Sequence, residues 1–367
     1  MKGAPIAVEG IGKRYDSVTA VDSVSLAVHA GEFVSLLGPS GSGKTTLLMM
    51  IAGFEYPSHG VIRIGERDVT NVPPNRRDVG MVFQRYALFP HLTVARNIAY
   101  PLRMRGIAGV EIGRRVDEAL SMVRLEGYGE RMPHQLSGGQ QQRVAVARAL
   151  VFEPPVLLMD EPLGALDKKL REQMQIEIKR LQQSLSVTVL YVTHDQEEAL
   201  TMSDRVAVMN AGRLVQIGAP AELYNCPSTP FAADFIGKMN FIDGHCAGTT
   251  ETTFSVRLAN HQVVKVPIDR LRGAALPVNG APIKLAIRPE QVRLAPRGHD
   301  ISNALPGEIE TAIFAGSFET FLVRTLAEAT LHVQIPAGGS SAPFRRGDAV
   351  DIVLDPSALH VFADQAG

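Results

Sequence analysis

Short apolar runs alternate with amphipathic stretches over the first two thirds of the chain. Glu32-Phe33-Val34-Ser35-Leu36-Leu37 reads as a buried strand, and Val156-Leu157-Leu158-Met159 and Thr188-Val189-Leu190-Tyr191-Val192 are apolar runs of strand length. Thr45 to Ala52 reads as a helix ended by Gly53, and Arg171 to Leu185 as another. Strands separated by helices predict a mostly parallel sheet with helices packed on it, extending to about residue 238.

Two departures from this alternation divide the chain. From about Tyr86 to Leu150 the pattern is helical throughout; Ile112, Val116, Ala119, Leu120 and Val123 share one face, with Arg114, Arg115 and Glu118 opposite. This predicts a helical subdomain of about 86–150 inserted into the first domain. Beyond Lys238 short β-type runs punctuated by Gly and Pro take over: Phe254–Leu258, Val263–Val266, Ile283–Ile287, Phe321–Val323, Leu331–Ile335 and Ala349–Leu354. They predict a small all-β barrel or sandwich. The expected domains are therefore 1–238 and 239–367.

Composition narrows the function. The chain has 367 residues, enough for two or three domains, with 37 basic against 38 acidic residues. A large nucleic-acid surface would need more positive charge. From Asn240 onward 11 Lys and Arg face 13 Asp and Glu, so the β domain has no basic excess for nucleic acid either. Cys226 and Cys246 form no CxxC pair, which fits reduced thiols better than a disulfide framework or a zinc site. No secretion signal is read at Met1–Pro5, and no apolar run approaches the roughly 18 residues that span a bilayer, so a membrane role is expected only through a partner.

Chemistry enters at Gly38-Pro39-Ser40-Gly41-Ser42-Gly43-Lys44-Thr45, which satisfies GxxxxGK[ST] between a strand and a helix. Glycines let backbone N–H groups turn inward around phosphate oxygens. Lys44 supplies a point charge for the β- and γ-phosphates, Thr45 a hydroxyl for Mg²⁺, and the helix N-terminus a favourable field. This is a P-loop for ATP, with Thr46 adjoining it. Val156–Met159 runs into Asp160 and Glu161. At a strand's carboxyl end Asp160 is suited to Mg²⁺ through its water shell, and Glu161 to orienting and deprotonating the attacking water. Leu136-Ser137-Gly138-Gly139-Gln140 precedes a helix over Gln141–Leu150; Ser137 can cap it, forming a second helix terminus able to take an anion.

With Gln142 and Arg143, the stretch from Leu136 resembles the signature motif of the ABC transporter ATPases. Further motifs of that family fall in order: Gln84 at the Q-loop after Val79–Phe83, Ala165-Leu166-Asp167 at the D-loop, His194 at the switch after Tyr191-Val192-Thr193, and Tyr15 at the aromatic that stacks on adenine. Taken singly, each reads as an ordinary polar or half-buried residue; their order and spacing favour the family. Ile287-Arg288-Pro289-Glu290 resembles the OB-like TOBE domain that follows the ATPase in one group of importers. The resemblance covers essentially the whole chain. It implies a P-loop α/β ATPase with a helical subdomain, followed by an all-β OB-like barrel.

The same resemblance implies a working arrangement. Two copies would pair head to tail as a homodimer, with Ser137, Gly138, Gly139 and Gln140 of one binding the γ-phosphate of ATP held by the other. His194 would contact that phosphate, and Gln84 would sense metal and water and report to a permease. The implied partners are two transmembrane permease subunits and a periplasmic or extracellular solute-binding protein, with the chain peripheral at the cytoplasmic face of the membrane and no nucleic acid bound. Pro73–Val79 and Phe231–Gly237 resemble polyamine importers most, with ferric iron, phosphonate and sugar systems as alternatives. A soluble ABC protein of translation or DNA maintenance, or a module whose β domain is the working end, are the competing readings. The paired cassettes and long coiled-coil insertions of the soluble proteins are not seen here.

Overall fold

A computed structural model describes residues 3–84, 86–164, 166–271, 276–298, 302–326, 329–338 and 344–363. The chain divides into two compact units, Met1–Pro227 and Ser228–Gly367.

The first unit runs β1 (Ile6–Tyr15), β2 (Val18–Val28), β3 (Phe33–Leu37), α1 (Lys44–Ala52), β4 (His59–Ile64), β5 (Arg67–Asp68), β6 (Val79–Val82), α2 (Val94–Met104), α3 (Gly109–Met122) and α4 (Gly138–Leu150). It continues with β7 (Val156–Asp160), α5 (Lys168–Leu185), β8 (Thr188–Thr193), α6 (Gln196–Met202), β9 (Arg205–Asn210), β10 (Arg213–Gly218) and α7 (Pro220–Asn225). Its main sheet has the order β10-β9-β3-β8-β7-β6. All neighbours pair parallel except β10 with β9. Every residue of β3, β7 and β8 is buried, as strands covered on both faces must be. Val34, Leu36, Leu158 and Val192 pack with Leu47, Leu48 and Ile51 of α1 on one side, while Leu157, Met159 and Tyr191 pack with Val146, Met174 and Ile178 of α4 and α5 on the other.

A second, antiparallel sheet, β2-β1-β4-β5, closes the far side of α1, with Ile6, Val8, Val24 and Ile62 in the same core. The short apolar stretch after Pro5 reads as a strand, but the pattern announces no more of this sheet. Pairing of β1 with β2 shifts register three times between Val8 and Arg14, which breaks the alternation that would have advertised it.

The insert is not helical throughout. Three helices share the core Val94, Ile98, Leu102, Val116, Leu120 and Val144, and the chain between them is irregular. Asn97, fully buried on α2, accepts from the Phe89 N–H (2.8 Å) and donates to the carbonyls of Phe89, Leu92 and Thr93, so residues 89–93 spend their backbone groups on a side chain rather than a helix. Pro133 opens a single 3₁₀ turn, Pro133–Gln135, ahead of the signature stretch.

The second unit holds α8 (Pro230–Phe235), β11 (Asn240–Thr249), β12 (Thr253–Leu258), β13 (Val263–Pro267), β14 (Pro282–Ile287), β15 (Val292–Pro296), β16 (Ala304–Phe314), β17 (Phe318–Thr325), β18 (Thr330–Pro336), β19 (Ala349–Leu354) and β20 (His360–Ala363). Two five-stranded sheets, β13-β12-β11-β14-β20 and β15-β19-β16-β17-β18, pair antiparallel throughout and curl around one apolar core, an OB-like barrel. Asn240 on β11 clamps β18: its Nδ2 donates to the His332 carbonyl and its Oδ1 accepts from the His332 N–H, each at 2.7 Å. The division falls ahead of the Lys238 boundary read from sequence, because α8 packs with the barrel. Ala233 contacts Met239 and Ala286, and the buried Arg288 donates from Nη1 to the carbonyls of Ala233 and Lys238 at 3.0 Å.

Candidate nucleotide site

The strand order builds the site. In the run β3-β8-β7-β6 the strands are parallel, so the residues that follow them emerge at one edge of the sheet. Gly38 follows β3, His194 follows β8, Asp160 ends β7 with Glu161 next, and Gln84 lies just past β6. Four motifs far apart in sequence reach one place by topology alone.

The loop Gly38–Gly43 hands over directly to α1, whose first residue is Lys44. Gly43 has φ +96°, and a Cβ there would run into the Ala20 carbonyl oxygen, so only glycine fits. Gly38 and Ser42 are buried, Pro39 and Thr46 half-buried, and Ser40, Gly41 and Thr45 face outward. Lys44 folds back: Nζ donates to the carbonyls of Gly38 (2.8 Å) and Pro39 (2.9 Å), with Ser42 Oγ at 3.4 Å. Its pKa is lowered by burial, an effect that Glu161 and Asp160 oppose. No side chain caps α1, so its N-terminal N–H groups stay available to an anion.

Thr45 Oγ1 donates to Asp160 Oδ1 at 3.0 Å, joining the P-loop helix to the end of β7. Burial pushes the Asp160 carboxyl up; the Thr45 hydrogen bond opposes this, Glu161 adds to it and Lys44 works against it. A hydroxyl and a carboxylate oxygen in contact form a donor pair suited to Mg²⁺, which takes few protein ligands and keeps several waters. Among the described residues no group of three or more His, Cys, Asp or Glu could hold a metal.

Glu161 is where the remaining residues converge. Gln84 Nε2 donates to Glu161 Oε2 at 3.0 Å, and His194 Nδ1 lies 3.2 Å from Oε1. Glu161 carries φ +43°, a conformation unusual for a residue with a side chain, and its N–H donates to the Val192 carbonyl at 3.0 Å. Its carboxylate lies between Gln84 and His194.

Ser137–Gln140 lie elsewhere. Ser137 Oγ accepts from the Gln140 N–H (3.4 Å) and Gln140 Oε1 accepts from the Ser137 N–H (3.0 Å), a reciprocal cap on α4. Gly139 lets α5 come close, since a Cβ there would sit 2.9 Å from Leu170 Cδ2. Among the described contacts none joins this stretch to Gly38–Thr46 of the same chain. Tyr15 is 42% exposed on β1, with Lys13 Nζ over its ring, 4.8 Å from the ring centre. At the D-loop, Asp167 caps α5 by accepting from the Leu170 N–H at 3.0 Å; Ala165 lies outside the described residues.

Three arginines were missed. Arg77 Nε donates to the Val72 carbonyl (2.6 Å), Nη1 to those of Met50 (2.7 Å) and Ile51 (2.9 Å), and Nη2 to that of Thr70 (3.1 Å), closing the carboxyl end of the P-loop helix. Arg148 donates to the carbonyls of Tyr86 (2.9 Å) and Ala87 (2.8 Å), just past Gln84, where the backbone has positive φ. Arg171 joins Leu166 to Asp195. Their partners are mostly distant backbone carbonyls, for which sequence holds no signal.

A strand–loop–helix phosphate cradle, a hydroxyl–carboxylate pair beside it and a carboxylate held by an amide and an imidazole define a P-loop nucleotide hydrolase. Residues 21–164 match the family model described as ABC transporter, and residues 285–362 that described as TOBE domain. The chain belongs to the family of ABC transporter ATP-binding proteins. It is 47% identical to the spermidine/putrescine import ATP-binding protein PotA of Rubrobacter xylanophilus, across 100% of this chain and 96% of that one. It is 51% identical to the protein of the same name from Acidothermus cellulolyticus, across 92% and 88%. Among solved structures it resembles the dimeric ABC transporter cassette MJ0796 (36% identity, TM-score 0.54, covering 59% of this chain and 98% of that one). It also resembles that cassette in a post-hydrolysis dimer bound to ADP and Pi (35% identity, TM-score 0.53, with the same coverage). Among the described residues no helix is long and apolar enough to cross a membrane.

Proposed function

We propose that this chain is the ATP-hydrolysing subunit of an importer for spermidine and putrescine. It works with Mg²⁺ as a head-to-tail homodimer, peripheral to the cytoplasmic face of the membrane. Two transmembrane permease subunits and a periplasmic or extracellular solute-binding protein complete the system. The observation that carries the reading is the convergence of Gln84 and His194 on Glu161 beside the P-loop; the likeness of the full chain to polyamine import ATPases supplies the substrate.

The residues divide the work. The loop N–H groups and the end of α1 bind the phosphates, and Lys44 exchanges the Gly38 and Pro39 carbonyls for phosphate oxygens. Thr45 and Asp160, with Gln84 through water, would hold Mg²⁺, which when bound neutralises charge on the phosphates. Glu161 takes the proton of the attacking water. Gln84 fixes one of its oxygens and His194 stands at the other, so that the base is oriented before reaction. Tyr15 offers its ring to the adenine. Ser137–Gln140 are turned to the partner's nucleotide, which accounts for their separation from the P-loop of their own chain.

Uptake of radiolabelled spermidine, putrescine, ferric iron, phosphonates and sugars is to be compared in cells with and without the gene. Polyamine uptake is expected to disappear with the gene and to return with the intact chain but not with Lys44→Ala. Loss of a different solute, with polyamine uptake intact, would overturn the substrate.

A further inference from the structure

His194 is held oddly for a residue that must meet a reacting phosphate. Its side chain is 58% exposed, and among the described contacts its ring has one polar neighbour, Glu161. Its placement must come from the backbone on either side, and both flanking residues are tied down. Thr193 Oγ1 donates to Glu198 Oε2 at 2.7 Å and accepts from the Asp195 N–H at 2.9 Å. Tyr191 Oη donates to the same Glu198 oxygen at 2.7 Å. Asp195 Oδ1 accepts from the N–H groups of Glu197 and Glu198, starting α6. Its other oxygen, Oδ2, is taken by Arg171 Nη1 at 2.9 Å.

Arg171 stands on the first turn of α5, and its Nη2 donates to the Leu166 carbonyl at 3.0 Å. Its Nε lies 3.8 Å from Glu198 Oε1, an ion pair without a hydrogen bond. One planar guanidinium therefore spans the turn that follows Glu161 and the residue that follows His194. Those two segments carry the two groups that must face each other.

We propose that Arg171 is a positioning residue for ATP hydrolysis: by bridging the Leu166 carbonyl and Asp195 it holds the His194 imidazole against Glu161. The proposal rests on the reading that Glu161 and His194 carry the reaction. Arg171 touches neither, so it acts only through the loops. Leu166 also belongs to the D-loop, so any displacement of that turn is passed by the same guanidinium to His194. The rigid fork matters as much as the charge: a lysine can reach either acceptor but cannot hold both in one plane.

The test is steady-state and single-turnover ATPase kinetics of the full chain, for the intact protein, Arg171→Met, Arg171→Lys, His194→Ala and the Arg171→Met/His194→Ala double variant. Fluorescent-nucleotide binding and thermal unfolding accompany each as checks on folding. Arg171→Met is expected to lower kcat about tenfold or more with KM for ATP within about twofold, and Arg171→Lys to fall between it and the intact protein. In the His194→Ala background the added Arg171→Met change is expected to cost less than about twofold, since residues acting as one unit are non-additive. A near-normal kcat in Arg171→Met beside a defective His194→Ala overturns the positioning role and leaves the function untouched. Multiplicative losses in the double variant assign Arg171 a separate or merely structural role and overturn the coupling. A normal kcat in His194→Ala refutes the underlying reading, and this inference with it.

Discussion

Replacing Arg77 with methionine tests how the P-loop helix is held. The side chain is 2% exposed and donates four hydrogen bonds, all to carbonyls: Met50 and Ile51 on α1, Thr70 and Val72 on the segment after β5. No basic residue lies in the last turn of α1, so Arg77 is the cation that answers the negative end of that helix dipole. Burial lowers its pKa to about 10, which leaves it charged at neutral pH. Methionine fills much of the same volume but donates nothing. A hydrogen bond to a charged group is worth about 1.5–3 kcal/mol net, and such values do not add when one side chain makes them all. Water can reach part of the exposed acceptors after truncation, so the expected loss is about 3–5 kcal/mol, in the range found for breaking a buried polar network.

For a unit of this size that lowers the melting temperature by roughly 6–20 °C. Lysine would keep the charge but lose the fork, and is expected to lie about midway. The assay is calorimetry of the full chain, following the transition of the ATPase unit with and without ATP. A shift of less than about 2 °C in Arg77→Met, with cooperativity unchanged, would show that these carbonyls are satisfied without the guanidinium.

Gly43→Ala places a Cβ at φ +96° against the Ala20 carbonyl, so it is expected to cost about 2–4 kcal/mol and to abolish nucleotide binding, measured by melting and by fluorescent ATP titration. Glu161→Gln keeps the Gln84 contact within reach but removes the base; kcat is expected to fall about 10²–10⁴-fold with ATP binding retained and a dimer trapped, and near-normal turnover would refute its role. Asp160 has a raised pKa from burial, so its share of stability is fully present below the ordinary carboxylate range and declines as pH rises through the folded value. Asp160→Asn is therefore expected to melt higher than the intact nucleotide-free chain at pH 8, with the gap closing toward pH 4, and to have lost ATPase activity.

What was legible follows from what each element depends on. The strands β3, β7 and β8 are buried on both faces, and continuous apolar runs announced them. Most of the sheet β2-β1-β4-β5 was unread because Gly10 and Gly12 interrupt β1 and its register shifts repeatedly. The insert looked uniformly helical because the stripe Ile112–Val123 is genuine, whereas the breaks depend on the Asn97 side chain taking the backbone groups of Phe89, Leu92 and Thr93, and on Arg148 meeting the carbonyls of Tyr86 and Ala87 far away in sequence. Motifs named Gln84, Glu161 and His194 as candidates, but the meeting of Gln84 and His194 at Glu161 was not written in them. That meeting depends on strand order and on a left-handed backbone at Glu161, neither of which is written locally.

Arg77, Arg148 and Arg171 do the same job at three places in the ATPase unit: Arg148 and Arg171 fasten loops at the edge where Gln84, Glu161 and His194 meet, and Arg77 fastens the opposite end of α1. Arg77 closes the P-loop helix, Arg148 secures the chain after Gln84, and Arg171 joins the turn after Glu161 to the residue after His194. Each takes at least one backbone carbonyl, so the fastening depends on where the chain runs more than on which side chains it bears. Phosphoryl transfer asks little covalent chemistry of a protein and much positioning, and displacements of about 1 Å are costly. Loops that carry single catalytic residues gain such precision when a planar, always-charged group locks their backbone. The guanidinium is the one side chain that offers several donors in a fixed plane, so arginine-to-lysine changes at these three positions should harm turnover more than larger changes on the exposed faces of the same helices.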